Sequence, residues 1–370
     1  SVNATNKVQP PIGHFWKTCK ENKNSNELCF YKMKTSSGKI LNKRILFSAI
    51  SAVKQNADQK KFEKAIKLIQ NWEKVKKHIN YHITNRDKTV KQTAMVSYLI
   101  MNLGIRVGDE KKEDLADTVG ASSLRKEHIK LNGNFLELDF DGKDSVHYSN
   151  KIQLPDAIRK EFSDLLENKE DKDSLFPDVT SGDVKDFISS VVKGISAKVF
   201  RTAWGSSLLT DGLQKVDIKP NMSVAEKVAL VNNAQLLVAQ KLNHQRNVGK
   251  NFESKSQELS EKLISIKSEF ISLEKEVNMK IQMLRTQLNE LEKKDFSHKD
   301  KSTLSKSYLD KISKLETKLS RKKKQIKDFE LKLDFKGKTK NIAIGTSRSA
   351  YCDPRIGVSF CKTFDIPLEK

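Results

Sequence analysis

The 370-residue chain carries 69 Lys and Arg residues against 47 Asp and Glu residues, a formal net charge of +22 at neutral pH. A basic balance of this size favours a polyanionic partner, with nucleic acid ahead of an anionic membrane surface. No stretch approaches the roughly 18 consecutive apolar residues that a membrane-spanning helix needs. The four cysteines lack C-x-x-C spacing, which argues against a zinc ribbon and predicts reduced thiols.

The first 90 residues are the most basic part of the chain, with 19 Lys and Arg residues against 6 Asp and Glu residues. Short β-prone runs between Asn-, Ser- and Gly-rich turns predict strands at 14–20, 27–34 and 43–49. From residue 59 the apolar residues adopt three- and four-residue spacing, which predicts amphipathic helices over 59–75 and 90–101. The sequence therefore predicts a basic β element followed by the first helices of a larger domain.

A two-residue periodicity predicts a β-hairpin between residues 135 and 153. Apolar and polar side chains alternate in both halves, and Asp141-Gly142 between them is a hairpin turn signal. This pattern puts Lys143 at the tip of the hairpin. Helical periodicity then resumes and continues to about residue 242.

Two heptad runs follow, over residues 259–291 and 308–333, on either side of a short polar break. Because the two seams match, they predict an antiparallel coiled coil roughly 40 to 60 Å long at about 1.5 Å per residue. A zipper for a separate partner is the alternative interpretation. Gly337 is expected to end the second helix, and residues 341–370 form a closing segment.

Residue patterns alone leave the catalytic site undefined, because no Walker loop, nucleophile triad or clustered carboxylate pair occurs. His78 and His82 lie four residues apart, but no further ligand is spaced to complete a zinc site, so a solvated helix face is favoured. The acidic residues within 109–114 could bind Mg²⁺, yet Lys111 and Lys112 among them favour a surface ion-pair network. We therefore expect neither a metal nor a cofactor.

Five short motifs carry more information, and they occur in a fixed order. They read LGIRVGDEK at 103–111, GKDS at 142–145, KVFRT at 198–202, LNHQR at 242–246 and GTSRSAYCDPR at 345–355. With a heptad hairpin between the fourth and the fifth, they resemble the eukaryotic (nuclear-type) type IB DNA topoisomerases. Because PPIGHFWK at 10–17 is similar to another core segment of that family, the resemblance covers nearly the whole chain.

The resemblance implies roles for five residues. In this family a tyrosine attacks a DNA phosphodiester, forms a 3′-phosphotyrosyl bond and releases a 5′-hydroxyl strand that rotates before religation. Tyr351 matches that nucleophile, and Lys143 matches the lysine that protonates the departing 5′ oxygen. Arg106, Arg201 and His244 match the donors to the non-bridging oxygens, where negative charge develops. The phosphotyrosine conserves the bond energy, so neither ATP nor a metal ion is implied.

The same resemblance implies an α+β, mainly helical fold: a tyrosine recombinase/topoisomerase IB catalytic core with a small β-hairpin sheet, plus an antiparallel coiled-coil linker. Four predicted domains follow in chain order: a β-rich basic remnant of the DNA clamp at 1–55, the catalytic core at 56–250, the linker at 251–336, and a segment carrying the tyrosine at 337–370. Expected DNA-binding residues are Lys17, Lys43, Arg44, Asp144, Lys198 and Asn243.

The sequence departs from the family pattern close to the reacting groups. Ala350 stands where Asn commonly precedes the nucleophile, beside the camptothecin pocket of relatives, so we expect weak poisoning by camptothecin. Arg348 stands where Lys is usual, and Ala203-Trp204-Gly205 replaces a commoner Tyr-Asn-Ala. The family's N-terminal clamp lobe and short C-terminal tail are also missing, which predicts either a partial sequence or a separate N-terminal clamp fragment or subunit.

Two alternatives stay open at this stage. A tyrosine recombinase or integrase uses a similar set of residues, but Lys198 occupies its usual His position, and the coiled coil separates His244 from Tyr351 by 107 residues. A non-catalytic DNA-binding coiled-coil protein would use its charge for phosphate contacts alone. The expected partner is duplex DNA rather than a membrane, and the chain is expected to be monomeric. The expected location is the nucleus, or a viral factory or the cytoplasm if a virus encodes the protein.

Overall fold

A computed structural model describes residues 9–10, 12–19, 27–46, 51–108, 119–142, 145–293 and 298–368. The chain forms two compact units, Ser1–Ala203 and Trp204–Lys370, and each has an apolar core of its own. The boundary between the units falls inside the segment 56–250 that we assigned to one catalytic core. The four-part domain division therefore stays a prediction.

The first unit opens with an antiparallel hairpin of strands β1 (Glu27–Lys34) and β2 (Ile40–Leu46). β1 has the predicted bounds, whereas β2 begins three residues earlier than predicted. The reason is a tight turn at Gly38, whose φ of 81° lets pairing resume at Ile40. The prediction of a strand at 14–20 is wrong over its described residues, 14–19, which form only a single bridge at Cys19.

Helices α1 (Ala52–Gln70), α2 (Trp72–His82) and α3 (Lys88–Leu103) follow. The apolar run predicted as one helix through residue 75 is interrupted at Asn71, whose side-chain amide donates to the Lys67 carbonyl at 2.9 Å. α3 carries apolar residues on nearly every side and is almost entirely buried, which makes it the central helix of this unit.

Three antiparallel strands form a second sheet of this unit, in the order β3 (Ile129–Asn132), β4 (Phe135–Gly142) and β5 (Val146–Gln153). The predicted β4–β5 hairpin is confirmed, and β3 is an addition to it. Asp141 and Gly142 pair with His147 and Val146 at the end of β4, so the predicted turn dipeptide lies within the strand. Lys143 and Asp144 lie outside the described residues.

Four helices complete the predicted helical stretch: α4 (Asp156–Leu166), α5 (Ser181–Val191), α6 (Ala197–Gln214) and α7 (Val224–Lys241). Capping boxes begin α5 at Thr180 and α7 at Ser223. The boundary between the two units lies within α6. Every helix in the described part of the chain is too short or too polar to cross a bilayer.

The second unit contains the predicted helical hairpin, formed by α8 (Phe252–Lys293) and α9 (His298–Lys338). Ion pairs join Lys267 to Glu330, Glu274 to Lys323 and Arg285 to Glu316, so residue numbers rise along α8 as they fall along α9. This order confirms the antiparallel pairing. The seam buries residues from both helices: Val277, Ile281, Ile312 and Leu319. The second helix continues one residue past Gly337, the predicted stop.

The chain then forms two short helices, α10 (Ile344–Ala350) and α11 (Pro354–Thr363). Asp353 begins α11 by accepting the N–H of Arg355 at 3.0 Å, and Pro354 occupies the first turn. Both helices contribute to the core of the second unit, together with α6 and α7. Tyr351 therefore lies in a short connection between two packed helices.

Candidate active site

In the first unit, the segment that carries Arg106 begins where α3 ends. A helix leaves its last carbonyls without internal partners. Here the buried guanidinium of Arg201 donates to the Gly104 carbonyl, and the Tyr148 hydroxyl contacts the Leu103 carbonyl at 3.4 Å. Burial raises the pKa of Tyr148 to about 12, with the charge of Arg201 acting in the opposite direction. The hydroxyl therefore stays protonated and can donate at neutral pH.

The backbone around Arg106 is fixed further along by a parallel stretch of chain. The N–H of Ala121 donates to the Arg106 carbonyl at 2.8 Å, and the N–H of Ser122 donates to the Val107 carbonyl at 2.6 Å. Gly120 makes this approach possible, since a Cβ there would lie 2.3 Å from the Gly108 nitrogen. The Arg106 side chain is exposed on this fixed backbone.

The two arginines implied in phosphate binding thus differ in burial. Arg201 is only 6% exposed and bonds the backbone two residues before Arg106, so the structure brings these two predicted residues into one region of the first unit. Lys143, the third predicted catalytic residue of this part of the sequence, lies outside the described residues. Its role stays a prediction.

In the second unit, Tyr351 lies at the C-terminal end of α10 and is 7% exposed. Its ring stacks on the ring of His244, with centroids 5.0 Å apart and planes inclined by 28°. Its N–H donates to the Ser347 carbonyl at 2.9 Å, and the following N–H, of Cys352, donates to the same oxygen at 3.0 Å. The structure therefore brings two of the predicted catalytic residues, Tyr351 and His244, into direct contact.

His244 is 4% exposed and is held through both its backbone and its ring. Its N–H donates to the Ala239 carbonyl at 2.9 Å, and its carbonyl accepts the N–H of Ala343 at 2.7 Å. The turn that leads from α7 to this histidine needs a φ of 51° at Asn243. The ring nitrogen Nδ1 lies 2.6 Å from the hydroxyl oxygen of the buried Ser347.

A close backbone contact supports the tyrosine from α6. A Cβ added at Gly205 would lie 2.7 Å from the Tyr351 carbonyl oxygen and 2.9 Å from its Cβ. The hydroxyl of Ser206 donates to the same carbonyl at 3.3 Å and accepts the N–H of Asp353 at 3.2 Å. Burial raises the pKa of Cys352 to about 11, so its thiol is neutral beside Tyr351.

Arg348 joins α10 to α7. Its Nε donates to the side-chain oxygen of Gln235 at 2.7 Å, and its Nη2 donates to that of Asn232 at 3.1 Å. Arg348 and Gly205 were predicted only to be departures from the family pattern, and no role was predicted for Ser347 or Ser206. Ser347 lies within the motif at 345–355 and Gly205 lies shortly after the motif at 198–202, but no spacing rule indicates which side chain such a residue contacts.

The predicted DNA-binding residues lie mostly at the surface. Lys17, Lys43 and Lys198 are exposed. Arg44, also exposed, forms an ion pair with Glu27 at 3.4 Å. The side-chain oxygen of Asn243 accepts a hydrogen bond from Gln245 at 2.7 Å. Asp144 lies outside the described residues, and DNA binding by this set stays a prediction.

The histidine pair at 78 and 82 differs from the predicted solvated face. Their rings lie 4.5 Å apart, and Phe187 packs at 4.6 Å from the ring of His78. Burial lowers the pKa of His78, with a further lowering from His82. Among the described residues, no group of three or more His, Cys, Asp or Glu side chains is arranged to hold a metal ion.

Two family descriptions match this chain. Residues 50–277, which include Arg106, Arg201 and His244, match "Eukaryotic DNA topoisomerase I, catalytic core". Residues 323–370, which include Tyr351, match "C-terminal topoisomerase domain". The chain belongs to the eukaryotic DNA topoisomerase I family, as the five motifs predicted.

Individual relatives agree with this assignment. The chain is 32% identical over 376 residues to DNA topoisomerase 1 of Caenorhabditis elegans, which covers 98% of this chain and 43% of the relative. It is 31% identical over 368 residues to human DNA topoisomerase 1, covering 98% and 46%. The human mitochondrial DNA topoisomerase I is also 31% identical, over 370 residues, covering 98% and 58%. The chain thus spans about half the length of the curated relatives it matches.

Proposed function

We propose that this chain performs the strand cleavage and religation of a type IB DNA topoisomerase. The observation that carries the proposal is the buried pair of Tyr351 and His244, whose rings stack at 5.0 Å within the second unit. An aromatic hydroxyl beside an imidazole provides a nucleophile and a hydrogen-bond donor for the same phosphate. Family membership and the match of both residues to the family's motifs support this interpretation.

In the proposed reaction, the Tyr351 hydroxyl oxygen attacks the phosphorus of a DNA phosphodiester. The hydroxyl proton passes to solvent, the P–O5′ bond breaks, a 3′-phosphotyrosyl bond forms, and Lys143 gives a proton to the departing 5′ oxygen. Arg106, Arg201 and His244 donate to the non-bridging oxygens, because fixed cationic donors stabilise the charge that develops there. Religation is the reverse, with attack by the 5′ hydroxyl and release of the tyrosine, so no bond energy is lost.

Duplex DNA is the proposed partner, held by basic residues that include Lys17, Lys43 and Lys198. We further propose that the chain acts as a monomer on DNA and that an N-terminal clamp fragment or subunit completes the enclosure of the duplex. The α8–α9 hairpin is proposed to slow rotation of the cleaved strand without taking part in the chemistry. The proposed location is the nucleus, although one relative is named as mitochondrial.

The first test is relaxation of negatively and positively supercoiled plasmid, in EDTA and without ATP, by the wild-type chain and by Tyr351→Phe. Detergent is added during the reaction to trap covalent protein–DNA complexes. We expect relaxation of both signs and a trapped complex for the wild type, and neither for the variant. A second substrate is an oligonucleotide duplex in which the 5′-hydroxyl strand released by cleavage is short and diffuses away. Religation then cannot occur, so this substrate measures the cleavage step alone.

Other outcomes distinguish the alternatives. A Tyr351-dependent complex without relaxation would mean that the chemistry is assembled and that the clamp must be supplied in trans. Exchange of strands between two defined sites would indicate a recombinase. DNA binding without any covalent complex, on either substrate, would overturn the proposal in favour of a non-catalytic DNA-binding protein.

A further inference from the structure

Ser347 contacts both residues of the buried pair in the second unit. Its hydroxyl oxygen lies 2.6 Å from Nδ1 of His244, and its carbonyl oxygen accepts the N–H groups of Tyr351 and Cys352. The residue is completely buried, and the two residues joined through the hydroxyl are 103 positions apart in the sequence. One side chain therefore links the ring of the histidine to the helix end that carries the nucleophile.

The hydrogen atoms of this contact can be assigned by counting donors and acceptors. A hydroxyl has one hydrogen, and a neutral imidazole has one N–H donor and one acceptor nitrogen. If Nδ1 carried the hydrogen, Ser347 would have to accept it and its own buried hydrogen would need another acceptor. Among the described residues, His244 is the only hydrogen-bond partner of this hydroxyl. A buried donor without an acceptor is costly, so the hydroxyl donates to Nδ1.

This assignment fixes the tautomer of His244. When Nδ1 accepts, the hydrogen of the neutral ring is on Nε2. The backbone bonds of His244 to Ala239 and Ala343 fix its main chain, and the stacking on Tyr351 fixes the plane of its ring. A histidine that donates to a phosphoryl oxygen through Nε2 needs this tautomer before the substrate arrives.

We propose that Ser347 is a positioning residue, which holds His244 as the Nε2–H tautomer and thereby makes Nε2 the donor to the scissile phosphate. The inference rests on the proposed function for the identity of the acceptor, but the tautomer itself is a property of the free protein. Loss of one fixed donor to a developing oxyanion typically lowers a rate by about 10²- to 10³-fold. Ser347→Ala leaves the histidine in place and only frees its tautomer, so we expect a smaller decrease in cleavage rate, of about 10-fold.

The first measurement is the tautomer of His244 in the whole chain. Protein labelled with ¹⁵N at histidine is examined by long-range ¹H–¹⁵N correlation, and His244→Gln identifies the signals of this ring. We expect an Nε2–H pattern in the wild type and a mixture in Ser347→Ala. Ser349→Ala is the matched control, because this exposed serine of the same helix bonds the Gly345 carbonyl and should leave the ring unchanged. An Nδ1–H pattern in the wild type would overturn the proposal, whatever the activity of the chain.

The second measurement is single-turnover cleavage of the oligonucleotide duplex by Ser347→Ala, His244→Gln and the double variant. If Ser347 acts through His244, the double variant cleaves as fast as His244→Gln alone. Ser347→Thr, which keeps a hydroxyl, should recover most of the rate lost in Ser347→Ala. Equal loss in both backgrounds would mean a merely structural role and would refute the proposal. If the wild type forms no covalent complex, the proposed function fails, while the tautomer measurement still decides this inference.

Discussion

The two regions that carry the candidate catalytic residues are held by different kinds of contact. Around Tyr351, buried side chains and backbone pack directly against one another, down to a glycine that leaves no room for a Cβ. Around Arg106, a buried guanidinium and a tyrosine hydroxyl bond the backbone, and the Arg106 side chain itself is exposed. The region around Tyr351 should therefore be sensitive to small changes of side-chain volume, and the region around Arg106 to the loss of one hydrogen-bond donor.

The largest expected effect is the loss of cleavage rate in variants of Arg106 and Arg201, which should differ in their effect on stability. Arg106→Ala and Arg201→Ala should each lower the cleavage rate by about 10²- to 10³-fold, because each removes a proposed donor to the phosphate. Only Arg201→Ala should also lower the stability of the protein, by about 1 to 3 kcal/mol, because the buried Gly104 carbonyl loses its donor. Single-turnover cleavage and thermal unfolding of both variants provide the measurement.

Arg201→Lys is the control for this pair, since it keeps the charge but not the planar fork of donors. It should retain more stability than Arg201→Ala and recover little of the cleavage rate. Equal destabilisation by Arg106→Ala and Arg201→Ala would contradict the difference in burial on which the comparison depends.

The next effect tests packing at the nucleophile. Gly205→Ala introduces a Cβ at 2.7 Å from the Tyr351 carbonyl oxygen, so the tyrosine backbone or α6 has to shift. We expect a loss of about 1 to 3 kcal/mol in stability, as for other overpacked sites, together with slower cleavage. Gly345→Ala is the matched control, because it lies in α10 with no atom within 4 Å of an added Cβ, and it should stabilise the helix by about 0.5 to 1 kcal/mol.

Unchanged cleavage and stability in Gly205→Ala would show that the region around the nucleophile adapts, and the proposed contrast between the two regions would be lost. The sequence offers a reason to expect sensitivity here. The commoner family pattern has Ala at this position after Tyr-Asn, whereas this chain has Gly after Ala-Trp. The loss of the methyl group thus accompanies changes at the two preceding positions of the same helix.

A third region, the α8–α9 hairpin, carries none of the predicted catalytic residues, so we expect its distal part to be dispensable for chemistry. Deletion of residues 281–317, with the helices rejoined by a short Gly-Ser loop, keeps the ion pairs Lys267–Glu330 and Glu274–Lys323. We expect unchanged cleavage of the oligonucleotide. The rate of plasmid relaxation should change several-fold, because the hairpin that is proposed to slow rotation of the cleaved strand is shorter. Plasmid relaxation is measured beside cleavage, and a loss of cleavage would refute the assignment of this hairpin as a linker.

The sequence predicted this hairpin better than it predicted the site, and the reason is physical. A heptad seam is a local repeat, so its spacing indicates the partner face, and the short polar break between two matched seams favours an antiparallel return. The break between α1 and α2 was missed because Asn71 ends the helix through a bond of its own side chain, while the apolar spacing continues past it. Strand β3 is only four residues long, too short for a periodicity to register.

The candidate site shows the same limit. The motifs identified Tyr351 and His244 by their order along the chain, but the contact between Ser347 and His244 joins residues more than a hundred positions apart. A buried serine has no periodic signal, and its partner is determined by the packing of α10 against the end of α7. Ala350 is half-buried beside Tyr351, and the weak camptothecin response expected from it stays a prediction.

The smallest expected effect concerns the attachment of the hairpin to α7. Glu226 pairs with Lys327 of α9 at 2.5 Å and accepts the N–H of Ser223 at 2.7 Å. The hydrogen bond from Lys327, followed by that from Ser223, lowers the pKa of Glu226 from 4.5 to about 2. A carboxyl whose pKa is lowered by folding stabilises the folded state above its unfolded pKa, and this contribution is lost as the pH falls through the folded pKa.

Glu226→Gln should therefore lower the unfolding temperature near pH 6 by a few degrees at most, since Lys327 is largely exposed. The difference from the wild type should shrink between about pH 4.5 and pH 2, where the wild-type carboxyl becomes protonated. Glu253→Gln is the control, because its carboxylate bonds Lys340 at 3.0 Å but is 84% exposed, and it should change little at any pH. A difference that grows as the pH falls would have the wrong sign for this pair and would contradict an attachment through Glu226 and Lys327.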